Sequence, residues 1–113
     1  MRVELDIFSG RPNPTWEMTA AQAETLTSIL REMPTHVGQI PFNDGLGYRG
    51  FIIRDSPDFD IALAYKGCVS IERKNQKLAI SSGERILDHW LLENTRPYIA
   101  SEVYQLVLTE IDT

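Results

Sequence analysis

The beginning of the chain alternates apolar and polar residues. Val3, Leu5 and Ile7 are separated by charged residues, which is the two-residue period of a strand with one buried face. The pattern stops at Gly10. The sequence therefore predicts a first strand over residues 2–8.

The middle of the chain predicts several adjacent antiparallel strands. They are rich in β-branched and aromatic residues, and short turn sequences such as Lys66-Gly67 separate them. The predicted strands are 48–54, 60–65 and 69–73, with 77–80 as a short additional member. Residues 34–47 contain two prolines and three glycines, so we expect a long ordered loop there.

Two segments repeat apolar residues at helical spacing. The first begins at Thr19, which with Gln22 has the form of a capping box, and it ends before Pro34. The second begins with the same capping signal at Ser81 and Glu84. The sequence therefore predicts two helices whose apolar stripes face the core.

The last segment, residues 98–111, suits both a helix and a strand. Its apolar residues recur at helical intervals, but Val103, Tyr104 and Val107 are also common in strands. We favour the helix. The order of elements then predicts one α+β domain over residues 1–113, with a mostly antiparallel sheet of four to five strands and two or three helices packed on one face.

Charge and cysteine content restrict the class of protein. A formal net charge of −5 disfavours nucleic acid as a partner, because such binding depends on neutralising phosphates. Cys68 is the only cysteine, so no intramolecular disulfide can form, which is typical of the cytoplasm. The acidic first residues and the lack of a long apolar run disfavour export and membrane insertion. We expect a cytoplasmic protein and leave its oligomeric state open.

Motifs for metal binding and for nucleophilic chemistry are missing. The chain has no HExxH or CxxC pattern, and the acidic run that begins at Asp55 lacks the glycine and the glutamate of a calcium loop. Ser9 has no G-x-S-x-G frame, and Cys68 leads a predicted strand, where a buried and unreactive thiol is expected. We therefore predict no metal, no cofactor and no assignable catalytic residue.

A loop with the sequence FSGRPNPTW follows the first strand. Pro12 and Pro14 restrict its backbone, so it can hold side chains at low entropic cost. Arg11 can bind a carboxylate or phosphate, Asn13 adds an amide, and Trp16 offers a flat wall to an aromatic or cationic group. The simpler interpretation is that the loop only turns the chain, with Arg11 paired to a local acid and Trp16 packed beside the first helix.

A second loop, FNDGLGYRGF, places three glycines around Tyr48 and Arg49. It leads into a strand and lacks the G-K-[S/T] ending of a phosphate-binding loop. Asn43 and Asp44, with the glycine after them, more simply make a turn. Gly50 is predicted to mark a bulge or a close backbone approach.

Together the two loops resemble the paired signature of a group of small hypothetical proteins, F-S-G-R-P-N-P-x-W followed by L-G-Y-R-G-F. The resemblance covers the first half of the chain and implies no activity, fold or cofactor. It implies a single spatial cluster formed by Arg11, Asn13, Trp16, Tyr48 and Arg49. Within that cluster we expect the two arginines to share an acceptor such as Asp6 or Asp44, because two close cations repel each other unless an acid or a bound anion separates them.

These features predict a non-enzymatic binding or accessory protein that uses loops 9–16 and 42–49 to recognise a small anionic ligand or a protein partner. Two alternatives are a small enzyme with an arginine, tyrosine and carboxylate site in the same loops, and an acidic interaction protein of the immunity or antitoxin type. A closed pocket around a desolvated acid would favour the enzyme. The predicted binding residues are Arg11, Asn13, Trp16, Asn43, Asp44, Tyr48 and Arg49.

Overall fold

The computed structural model describes all residues from Met1 to Thr113. It contains a six-stranded antiparallel sheet in the order β2-β1-β3-β4-β5-β6, together with three α-helices. The elements are β1 Arg2–Leu5, β2 Thr15–Glu17, α1 Ala20–Glu32, β3 Phe51–Arg54, β4 Ile61–Tyr65, β5 Cys68–Arg73, β6 Gln76–Ser81, α2 Ile86–Thr95 and α3 Ser101–Ile111. The predicted α+β class is confirmed, but the sheet has six strands rather than four to five. None of the three helices combines the length and the apolar character that a membrane span requires.

The strand that the sequence did not predict is β2, which follows the proline-rich loop. Trp16 of β2 pairs with Val3 of β1. A hydrogen bond from Leu5 N to Pro14 O, at 3.0 Å, extends this pairing toward the loop. The loop therefore reverses the chain onto the outer edge of β1. Three residues after two prolines are too few to show alternation, which is why the pattern predicts a loop there.

The core lies between one face of the sheet and the helices. The register places Val3 beside Ile53 on that face, and both are fully buried. Leu26 of α1, Leu91 of α2 and Val107 of α3 belong to the same cluster of 20 buried residues. All three helices therefore pack on this face. The opposite face carries a half-buried row that crosses five strands: Glu4, Ile52, Leu63, Ser70 and Ala79.

The predicted start of the first helix is confirmed. At the beginning of α1, Gln22 N donates to Thr19 Oγ1 at 3.1 Å, and Thr19 N donates to Gln22 Oε1 at 2.8 Å. This reciprocal pair is a complete capping box, and it satisfies backbone donors that the first turn of a helix leaves free. The last segment also forms the favoured helix, α3, which begins at Ser101.

The capping box predicted for the second helix at Ser81 and Glu84 is wrong. Ser81 is the last residue of β6, and its N–H donates to Pro34 O at 2.9 Å. Helix α2 begins only at Ile86, without a capping side chain. Sheet pairing therefore uses the residue that the local pattern assigned to the helix.

Gly50 lies at a β-bulge, as the sequence predicted. Asp6 N donates to Gly50 O at 2.9 Å, and Arg49 N donates to Asp6 O at 2.8 Å. Arg49 and Gly50, just before β3, therefore both oppose Asp6, just after β1, which is the arrangement of a β-bulge. Gly50 has φ +108°, and a Cβ atom there would overlap the carbonyl oxygen of Ala64. The bulge also explains why β3 begins later than the predicted residue 48.

We predict that Gly50→Ala destabilises the fold by at least about 3 kcal/mol, because the left-handed backbone and the close approach to β4 both oppose a methyl group. Gly10→Ala is the matched control: Gly10 also has positive φ, at +82°, but open space surrounds its Cβ position. Urea unfolding of this control should show a loss of only about 1 kcal/mol. Equal losses of unfolding free energy in the two variants would contradict the close approach between Gly50 and β4.

Candidate functional site

Arg49 joins the two predicted loops. Its Nη2 donates to Phe8 O at 2.8 Å, and its Nη1 donates to Gly45 O at 3.0 Å. Its Nε donates to Asp6 Oδ1 at 3.0 Å, and the same carboxylate oxygen lies 2.9 Å from Nη2. The guanidinium group is therefore engaged on three sides, and it fixes residues 8 and 45 relative to each other.

Asn13 organises the loop from within. Its Oδ1 accepts hydrogen bonds from Ile7 N at 3.1 Å and Phe8 N at 2.8 Å. Its Nδ2 donates to Glu4 Oε2 at 2.9 Å and to Asp6 Oδ1 at 3.2 Å. A primary amide has two donor and two acceptor positions, and all four are used here.

A continuous polar network follows from these contacts. It runs from Arg49 through Asp6 and Asn13 to Glu4, whose Oε1 accepts from Arg54 Nη1 at 2.7 Å. The hydrogen bond from Asn13 is the largest cause that lowers the pKa of Glu4, and Arg54 lowers it further, while partial burial opposes them. The network stabilises the ionised form of Glu4, and it is itself partly shielded from solvent.

Arg11 lies outside this network. Its guanidinium carbon is 3.7 Å from the centre of the Phe8 ring, and it forms no ion pair. Both arginines thus contact Phe8, one at the ring and one at the carbonyl oxygen. The expected shared acid is not found, because Asp6 binds Arg49 and Asn13 instead. Arg11 remains exposed, with its N–H groups free for a partner.

Trp16 and Tyr48 are buried in the core and not displayed by the loops. Trp16 Nε1 donates to Thr95 Oγ1 at 2.9 Å, and its ring stacks on Tyr98 with 5.6 Å between the ring centres. Tyr48 packs against Phe51 and Tyr65. The single five-residue cluster implied by the resemblance is therefore divided: three members lie at the loops, and these two lie beneath the helices.

Asn43 shapes the second loop through its side chain. Asn43 Oδ1 accepts from Gly45 N at 2.9 Å, which is an Asx turn, and its Nδ2 donates to Tyr48 O at 2.9 Å. The predicted turn is thereby confirmed, and Asp44 is exposed at its tip. The turn also displays two large apolar side chains: Phe42 is 57% exposed and Leu46 is 83% exposed.

Sequence reasoning missed a contact between Cys68 and His36. His36 Nε2 lies 2.9 Å from Gln39 O, so Nε2 carries the proton and Nδ1 is the acceptor that faces Cys68 Sγ at 3.9 Å. Burial raises the pKa of Cys68, which keeps the thiol protonated and suited to donate to this nitrogen. The predicted burial of the Cys68 thiol is confirmed. The two residues are 32 positions apart, and no local pattern links them.

Sequence reasoning also missed a buried acid on α2. Asp88 Oδ2 accepts from Gly67 N of the β4–β5 hairpin at 2.9 Å, whereas Asp88 Oδ1 has no partner. Burial is the main cause that raises the pKa of Asp88. Burial and then the nearby charge of Asp88 raise the pKa of Tyr48, whose hydroxyl is also without a partner. Both groups are buried in the core and are not part of the exposed surface of the loops.

No protein-family model, curated protein or solved structure matches this chain. No group of three or more histidine, cysteine, aspartate or glutamate side chains is placed to hold a metal ion.

We predict that Arg49→Lys lowers the free energy of unfolding by about 2–4 kcal/mol, because one ammonium group cannot reach the three acceptors that the guanidinium binds. Arg54→Lys is the control, since Arg54 is more exposed and makes a single contact with Glu4. Urea unfolding should show the smaller loss for this control. Similar losses in both variants would mean that Arg49 does not hold the loops together.

We predict that Asp88→Asn becomes more stable relative to the native chain as the pH rises from about 4 to about 8. The raised pKa means that the folded chain binds this proton more tightly than the unfolded chain. The resulting stability is present below the unfolded pKa and is lost as the pH rises through the folded pKa, whereas asparagine carries no charge at either pH. Urea unfolding at several pH values, with exposed Asp44→Asn as the control, measures this difference. A difference independent of pH would contradict the prediction.

Proposed function

We propose that this protein is a non-enzymatic binding or accessory protein that recognises a partner protein through loops 9–16 and 42–49. The binding surface consists of their exposed side chains, Arg11, Phe42, Asp44 and Leu46, which we call the paired-loop surface. One observation carries the proposal: Arg49 fixes both loops at once through Phe8 O and Gly45 O. The exposed residues are thus presented by a backbone that is already ordered.

Pre-organisation favours binding because less conformational entropy is lost when the partner arrives. Three features order these loops: the prolines beside Arg11, the hydrogen bonds of Asn13 to the backbone, and the Asx turn at Asn43. The exposed side chains of Phe42 and Leu46 would be buried against the partner. Arg11 would contribute a cation that has no ion-pair partner within this chain. Aromatic and arginine side chains are typical anchors of protein interfaces.

The contacts favour a protein partner over a small anion. An anion site needs converging donors that are free, but Asn13 and Arg49 use theirs within the protein. An enzyme site in these loops is disfavoured for a related reason. Tyr48, the tyrosine that such a site would use, is buried against Phe51 and Tyr65.

Site-specific photocrosslinking tests the proposal. We would replace Leu46 with benzoylphenylalanine and irradiate the folded protein in an extract of the cells that produce it. The expected result is a discrete adduct with one protein, and Arg11→Glu in the same chain should reduce its yield several-fold. Leu106, exposed on α3, is the control position and should not give this adduct.

Two results would contradict the partner-binding surface. One is the same set of adducts from positions 46 and 106, and the other is the absence of any discrete adduct from position 46. Retention of a small anion by the native protein in mass spectrometry, with its loss in Arg11→Glu, would favour an anionic ligand instead.

A further inference from the structure

The outer edge of β6 is only partly covered. At the end of the strand, His36 N donates to Ala79 O, and Ser81 N donates to Pro34 O, so residues 34–36 pair with this edge. Residues of an antiparallel strand alternate in directing their backbone groups to one neighbour or the other. Lys77 shares the outward direction of Ala79, and no strand lies beside it. Its N–H and C=O are therefore open to an added strand.

An apolar groove lies beside this open edge on the helix side of the sheet. It has a volume of about 520 Å³ and is bounded by α1, the β3–β4 loop and the last two strands. Leu78, 51% exposed, forms its outer wall. The other apolar lining residues are Leu30, Met33, Phe59, Ile71 and Ile80.

A second groove flanks the same edge on the other side of the sheet. It has a volume of about 500 Å³, and Ile40, Lys77 and Ala79 contribute to its lining. An added strand directs alternate side chains to the two sides of a sheet. One set would therefore enter the apolar groove, and the other set would lie beside Lys77.

Four cations lie around this edge, although the whole chain carries a net charge of −5. Three acids lie among them: Glu72 is the cross-strand partner of Lys77, Asp58 lines the same groove as Arg31, and Asp60 accepts a hydrogen bond from Lys74 N. Lys77 lies on the edge and Arg31 on the rim of the apolar groove, while Arg73 and Lys74 lie at the β5–β6 hairpin. All four are exposed, and none forms an ion pair. The sequence alone is compatible with a solvated hairpin tip, but the fold places these cations beside unpaired backbone groups and an apolar groove.

We propose that β6 is a docking edge for an extended segment of a partner protein in which apolar residues alternate with acidic ones. The segment pairs with Lys77 through its backbone, inserts its apolar side chains into the helix-side groove, and directs its acidic side chains toward Lys77. Such strand addition derives affinity from backbone hydrogen bonds and specificity from the pockets for alternate side chains. Phe42 of the paired-loop surface also lines the second groove, so the two surfaces adjoin there, but the docking edge uses Lys77 and the helix-side groove and does not depend on the paired-loop proposal.

Charge argues against a second copy of this chain as the occupant. Antiparallel pairing of two β6 edges about Lys77 would place the two Lys77 side chains opposite each other, and like charges directly opposite are destabilising. A lysine on an edge strand also protects a sheet against pairing with itself. An acidic segment would not be repelled by Lys77, and its acidic side chains would be attracted to it.

Titration with a synthetic seven-residue peptide in which valines alternate with aspartates tests the docking edge. Binding is followed through the backbone amide signals of the isotope-labelled protein. We expect shifts centred on Lys77 and Ala79, and slower exchange of these two amide protons with solvent. Lys77→Glu should weaken binding at least about fivefold. Arg11→Glu, with the same change in net charge on the paired-loop surface, should leave the affinity unchanged.

A peptide of the same composition with its valines in one block is the sequence control and should bind at least about fivefold more weakly. The proposal is overturned if the alternating peptide causes no shifts at millimolar concentration, if the block peptide binds equally well, or if the shifts lie elsewhere. Concentration-dependent self-association that shifts the same two amides would assign the edge to a second copy instead. None of these outcomes affects the photocrosslinking result at position 46, so the two surfaces can fail independently.

Discussion

The hydrogen bonds of the Asn13 side chain are the interaction on which the first third of this structure depends. The chain must reverse after β1 so that β2 can pair with it, and the reversal leaves the amides of Ile7 and Phe8 without strand partners. Asn13 Oδ1 accepts both of them. Its Nδ2 then binds Asp6, the same acid that holds Arg49. One amide thus connects the turn, the sheet edge and the distant second loop.

Features set by neighbouring residues could be predicted from the sequence. The capping box at Thr19, the Lys66-Gly67 hairpin and the bulge at Gly50 each depend on a few adjacent residues, and their patterns indicated the correct structure. Ser81 shows how such patterns fail. Its spacing to Glu84 fits a helix cap, but a sheet partner from residue 34 competes for the same backbone group.

The sequence and its resemblance predicted that the two loops lie together, which the contacts of Arg49 confirm, but they did not predict the contacts within the loops. Arg49 and Phe8 are 41 positions apart, and Trp16 and Thr95 are 79 positions apart. The neighbouring residues in the sequence do not show whether an arginine binds a ligand or the protein's own carbonyl oxygens. An indole beside a strand is likewise equally suited to a wall of a pocket and to the core. Only the pairing of β2 with β1 directs Trp16 to the helices and leaves Arg11 outside.

The two edges of the sheet differ in what they can accept. β2 is three residues long and follows a segment with two prolines, so its outer side offers little backbone to pair with. β6 is six residues long, and residues 34–36 cover only its last part. A sheet that can be extended on one side alone cannot propagate from molecule to molecule, because each addition consumes the available side. Assembly through this sheet would therefore stop at a defined stoichiometry and would not continue into a fibre.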